Sequence, residues 1–127
     1  EAQADLGFYY YHGFDDVKQD FEKAVVWLSK ATAQGNEFAK FFLGCCYYES
    51  KGVGYNIENN YAVAAKIFSE LAASGVSGAQ HNLAVCYYYG HGVVQDYEAA
   101  KQLFHKAAAQ GYEASIDALR HHYGIII

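Results

Sequence analysis

Apolar residues along this chain return at helical spacing, and the same spacing returns three times. After Gly35, the positions Ala39, Leu43 and Tyr47 fall at i, i+4 and i+8, which draws one apolar stripe down a helix, while Gly44 keeps a flank of that helix narrow. Ala2, Leu6 and Tyr10 repeat this pattern before it, and Ala79, Leu83, Tyr87 and then Ser115, Leu119, Tyr123 repeat it after. These are the A helices. Ala64, Ile67, Phe68 and Leu71 follow the i, i+3, i+4, i+7 rule of a second amphipathic helix, matched by Ala24, Trp27, Leu28, Ala31 and by Ala100, Leu103, Phe104, Ala107. These are the B helices. Each is predicted to stop at a glycine (Gly35, Gly75, Gly111), where the chain must turn left-handed, and to start near Asp20, Asn60 or Asp96, whose side chains accept hydrogen bonds from first-turn amides.

The spacings locate the insertions. Ala to Gly is 11 residues and Gly to Leu is 8 in every copy, whereas Tyr to Ala is 14 (Tyr10 to Ala24), 17 (Tyr47 to Ala64) or 13 (Tyr87 to Ala100). All length variation therefore sits in the A-to-B loop, which can grow without disturbing packing. The segment from Gly52 to Asn60 is the longest. The boundaries that follow are repeats at about 1–36, 37–76 and 77–112, with a terminal A helix over 113–124, together one domain.

The order Ala-x3-Leu-Gly-x2-Tyr, then Gly-x-Gly-Val-x2-Asp, then Ala, then Ala-Ala-x-Gln-Gly resembles the Sel-1-like repeat, a relative of the tetratricopeptide repeat. In the third copy Leu83, Tyr87, Gly90, Gly92, Val93, Asp96, Ala100, Ala107, Ala108, Gln110 and Gly111 all match. The first copy has Gly13 but Asp15-Asp16 at the second loop glycine, and the second has Ser50 in place of the first. The resemblance implies an all-α, right-handed α/α superhelix, a solenoid of helix-turn-helix repeats that acts as an adaptor or scaffold for a protein or peptide partner. It carries no shared catalytic residues, and neither a metal nor another cofactor is expected.

Composition narrows the class further. With 53% hydrophobic residues in 127, the chain can build a continuous core, and a net charge of -5 with only 9 scattered Lys and Arg argues against a nucleic-acid surface. No run approaches the roughly 18 apolar residues of a membrane span. The lack of any Met, with a repeat already under way at the first residues, is expected of a piece of a longer chain, and the compartment stays open. The C-terminal Gly124-Ile125-Ile126-Ile127, following an A helix that carries Arg120 where earlier copies have Gly or Ala, leaves apolar surface that favours weak self-association.

The reactive side chains form no recognisable catalytic set. Cys46 and Cys86 occupy equivalent positions in successive A helices, about 9 to 10 Å apart at ordinary packing distance and beyond a disulfide's reach. With Cys45, they are expected to be structural thiols. The adjacent His121 and His122 point to different helix faces, and His81, His91 and His105 form no ligand pair of zinc-site spacing. The Asp15-Asp16 pair is expected to be a solvated turn. A hydrolase acting on cell-wall or β-lactam substrates would need a nucleophile and a base in one pocket. The pattern shows none, and a structural spacer is the third alternative.

The face of the A helix opposite the Leu stripe is the candidate binding surface. Phe41, Cys45 and Tyr48 form their own i, i+4, i+7 stripe, matched by Ala4, Phe8, Tyr11, by His81, Val85, Tyr88 and by Asp117, His121. In tetratricopeptide-like stacks this face lines the concave groove, and the resemblance implies the same here. Tyr11, Tyr48 and Tyr88 would form a ladder flanked by His12, Glu49 and Tyr89, suited to an interface that is apolar on one side and wet on the other. The same rings could equally fill the interior between helices.

Overall fold

The computed structural model describes residues 2–14 and 16–125. Among the described residues seven helices make up the order: α1 Ala2–His12, α2 Phe21–Ala33, α3 Glu37–Tyr48, α4 Ile57–Ala73, α5 Ser77–Tyr89, α6 Tyr97–Ala109 and α7 Glu113–Tyr123. There is no strand among the described residues. Helices α1, α3, α5 and α7 are the A helices, and α2, α4 and α6 the B helices. The chain falls into two compact units, Glu1–Ile67 and Phe68–Ile127, with the division inside α4.

In the first unit α2 packs on both α1 and α3, and α1 also meets α3. Its core is Ala4, Ala24, Leu28, Ala31, Ala39, Leu43 and Cys46, largely the predicted Leu and Ala stripes of the two helix types. The narrow flank of the A helix has a visible cause. A Cβ on Gly7 would stand 2.8 Å from Cγ and Cδ2 of Leu28, so only glycine lets α2 come this close. In the second unit α6 packs on α5 and α7 around Ala84, Ala100, Phe104 and Leu119, with Tyr87, Leu103, Tyr123 and Ile125 against them. Ile126 and Ile127 lie outside the described residues.

The helix ends follow the predicted chemistry with one correction. Asp20 accepts from the amide of Lys23, and Asp96 from those of Glu98 and Ala99. Gly35, Gly75 and Gly111 take φ of 87°, 90° and 84°, and a Cβ there would meet nothing within 4 Å, so backbone conformation rather than crowding selects glycine. The second B helix, however, starts at Ile57, not near Asn60. Asn56 provides its first-turn acceptor, 3.1 Å from the amide of Asn59. Asn60 is buried inside the helix, where its Nδ2 donates to Ser50 Oγ at 3.0 Å and to the Gly54 carbonyl at 2.6 Å. An amide at this position can tie down a long loop, whereas the aspartates of the other copies can only accept.

Ser50 itself takes φ 55°, the only positive φ on a non-glycine residue among those described. It stands where the other copies have Gly13 (φ 68°) and Gly90 (φ 73°), so the loop keeps its backbone path without the glycine. The corresponding departure at Asp15 lies outside the described residues.

Candidate functional site

The three ladder tyrosines share a packing partner that sequence spacing did not reveal. Each meets the aromatic first residue of a B helix or its equivalent: Tyr11 meets Phe21 at 5.6 Å, Tyr48 meets Tyr61 at 5.1 Å and Tyr88 meets Tyr97 at 5.0 Å between ring centroids. These are edge or tilted contacts of the kind that stabilise aromatic pairs. The ring on the A helix therefore packs on the N-terminal turns of the following B helix, on its first residue in α2 and α6 and on Tyr61 in α4. Burial, with Cys45 and a hydrogen bond that the hydroxyl donates to Glu49 contributing less, pushes the Tyr11 hydroxyl well above its ordinary range. It is a packed group, not an acid.

In the first unit the remaining predicted residues gather around Phe42, which the stripe argument passed over. Phe8 meets Phe42 at 5.2 Å, Phe38 at 5.6 Å and His12 at 4.3 Å, while Tyr11, His12 and Phe41 reach Phe42 at 5.2, 5.6 and 5.5 Å. Glu49 is an exposed C-cap residue that also holds Lys51 at 3.8 Å. This face is filled by the chain's own rings.

In the second unit five predicted residues, His81, Tyr88, Tyr89, Asp117 and His121, line one open cleft of about 450 Å³ between α5 and α7. Val85, Phe104, Ala114, Ala118 and His122 complete its wall. The rings of Tyr88 and His122 lie 4.5 Å apart. Tyr89 is 54% exposed, and Asp117 and His121 are also exposed, so they are available at the mouth. The signal for Ala114, Ala118 and His122 was present in the sequence as small or polar residues at repeat positions that hold Phe38, Phe42 and Cys46 earlier.

A nucleophile and a base do meet at the inner edge of this cleft: His81 Nδ1 and Ser115 Oγ are 2.7 Å apart. Ser115 is fully buried and does not line the cleft, so no substrate can reach its hydroxyl. Earlier copies carry Ala2, Ala39 and Ala79 at this position, and serine here gives the half-buried imidazole a hydrogen-bond partner. Burial lowers the His81 pKa, which keeps the ring neutral. Because the folded value lies below the unfolded one, the unfolded chain binds more protons as pH falls through the ordinary histidine range of about 6.5. Stability is complete above that range and declines below it. His81→Phe is expected to flatten the decline in unfolding curves taken between neutral and acidic pH, and an unchanged slope would assign it to another group.

The thiols are equally inert. Burial pushes Cys45, Cys46 and Cys86 up to about 12, and none of the three is in a disulfide. Among the described residues no three His, Cys, Asp or Glu side chains come together to hold a metal ion, and no helix is long and apolar enough to cross a membrane.

The sequence signature of the Sel1 repeat matches residues 1–36, 38–76 and 77–112. The chain belongs to the Sel1 repeat family. Among its relatives, the ERAD-associated E3 ubiquitin-protein ligase component HRD3B of Arabidopsis thaliana is 33% identical over 95 residues, covering 75% of this chain. Protein sel-1 homolog 2 of Homo sapiens is 34% identical over 101 residues, covering 78%. In both, this chain spans only 14% of the relative's length. The fold agrees with that of solved Sel1 proteins. A protective antigen of uropathogenic Escherichia coli displaying an SLR fold superposes with a TM-score of 0.77 at 34% identity, over 95% of this chain and 26% of that one. A Sel1 repeat protein from Oxalobacter formigenes gives 0.75 at 33% identity, over 87% and 80% respectively. The Sel1 chain is thus an all-α array of helix-turn-helix repeats, and Gln110 illustrates what the repeat's Gln-Gly end does: its amide donates to the Gly75 carbonyl at 3.1 Å and to Gln80 Oε1 at 2.9 Å, joining successive B-to-A turns.

Proposed function

We propose that this Sel1 chain is a non-enzymatic interaction scaffold that binds a peptide or protein segment, and that in its second unit the segment lies in the cleft between α5 and α7. One observation carries the reading: four residues chosen for their helix face, with Tyr89 chosen beside it, converge on one open, mainly apolar cleft with polar groups at its mouth. The relatives fit this reading, since one of them is a component of an E3 ubiquitin-protein ligase. The tyrosine clamps favour a second reading, a structural spacer, because they give Tyr11, Tyr48 and Tyr88 a role without any partner.

Affinity capture with the chain, identification of the bound protein and titration of its isolated segment separate the two. Tyr89→Ala and His121→Ala, both at exposed positions, are expected to weaken that titration by about tenfold each while leaving thermal unfolding unchanged. A segment bound equally well by both variants would move the site away from the cleft.

A further inference from the structure

The two units build the same face from different residues, and the difference says what the cleft admits. In the first, Phe8, Phe38 and Phe42 fill the space with rings in contact at 5.2 and 5.6 Å around Phe8, and Tyr11 closes on Phe42 at 5.2 Å. In the second, the repeat-equivalent positions hold Val85, Ala114 and Ala118, while the tyrosine is kept as Tyr88. The cleft stands where those rings would be. Removing large side chains from a packed face leaves a void with the shape of what was removed unless the helices collapse onto it, and here they have not.

The mouth adds a charge preference. The mouth offers two exposed imidazoles, His121 and His122, against one carboxylate, Asp117, which already pairs with Arg120 at 3.9 Å. The last turn of α7, with Arg120, His121 and His122, is therefore a local basic edge on a chain of net charge -5. Imidazole N–H donors at the mouth favour an acceptor carrying negative charge.

We infer, resting on the scaffold reading above, that the cleft takes an aromatic side chain of the partner segment in the place that Phe42 fills in the first unit, with a carboxylate beside it against His121 and His122. The partner is thus a segment in which a phenylalanine-like ring sits next to an acidic group. Ala114 and Ala118 decide specificity by leaving room, and the kept Tyr88 supplies the edge that Tyr11 offers Phe42.

The test uses N-acetyl-phenylalanine, which carries both groups, titrated into the chain and followed by NMR. Saturable shifts at Ala114, Ala118, His121 and His122 with a Kd on the order of 1 mM are expected for a ligand this small. N-acetyl-phenylalaninamide, lacking the carboxylate, should bind about threefold or more weaker, and N-acetyl-alanine should give no saturable shift. Ala118→Phe, or Ala114→Phe at an exposed position should the first fail to fold, should lower affinity for N-acetyl-phenylalanine by about tenfold or more with melting undiminished. No saturable binding of N-acetyl-phenylalanine, or binding equal in the filled variants, overturns the inference, and equal binding of the amide overturns its carboxylate half. The captured partner separates this from the broader reading. If a folded filled variant loses the partner while N-acetyl-phenylalanine never binds, only the ligand class is wrong; if it keeps the partner, the cleft itself is wrong.

Discussion

Gly52→Ala is expected to lower stability by about 3 kcal/mol or more, whereas Gly54→Ala, two residues further on, changes it by no more than about 0.5 kcal/mol. Gly52 has φ 74°, and a Cβ there would collide with the carbonyl oxygen of Phe21, the first residue of α2. Backbone cannot rotate aside as a side-chain tip can, so the start of α2 must move. Part of the loss is conformational, since a left-handed φ costs an alanine about 1 to 2 kcal/mol wherever it occurs. Gly35→Ala isolates that part, because Gly35 has φ 87° with open space around the missing Cβ. Urea unfolding of the three variants should rank them Gly52, Gly35, Gly54. A Gly52 variant no worse than the Gly35 variant would mean that the loop does not press on α2 as described.

Tyr48→Ala and Tyr88→Ala are each expected to cost about 2 to 3 kcal/mol, less than a fully buried ring because both are only half-buried. Tyr48 packs on Tyr61, and Tyr88 touches Tyr89, Tyr97, His122 and Tyr123, so truncation removes a contact with the N-terminal turns of a B helix in each case. The two should then diverge in binding. Tyr88 lines the cleft, and its loss should weaken a captured segment by about thirtyfold in molecules that remain folded. Tyr48 belongs to the first unit, and its effect on binding should track the unfolded fraction alone. Melting and titration of both variants, read together, check this: a folded Tyr88→Ala chain with parental affinity would make Tyr88 a clamp and nothing more. Exposed Tyr55 supplies the control, since Tyr55→Ala should move neither measurement.

The repeat and its helices were legible because they depend on local rules. A 3.6-residue period marks which face is buried, a left-handed stop demands glycine, and a first turn needs a side-chain acceptor, so α2 and α6 begin where Asp20 and Asp96 said they would. Asn60 broke the pattern. Aligned with those aspartates, it is spent on Ser50 and Gly54 across the longest loop, and a loop's path is decided by groups brought near only on folding.

The same division runs through the candidate site. Helix periodicity placed Phe8, Tyr11, Phe41, Tyr48, His81, Tyr88, Asp117 and His121 on one face of the A helices, with His12, Glu49 and Tyr89 beside it. It had no means of separating a filled face from an open one, because that depends on what stands across the gap. Phe38 and Phe42 close the first, and Ala114 and Ala118 leave the second vacant. By itself, then, the sequence determined the class of fold, the helix faces and the turn chemistry, all of which follow from residues within a few positions of one another. The tertiary structure decided that Ser115 serves His81, that the tyrosines brace the B helices and that a cleft opens between α5 and α7, since each of these rests on side chains from different helices meeting in space.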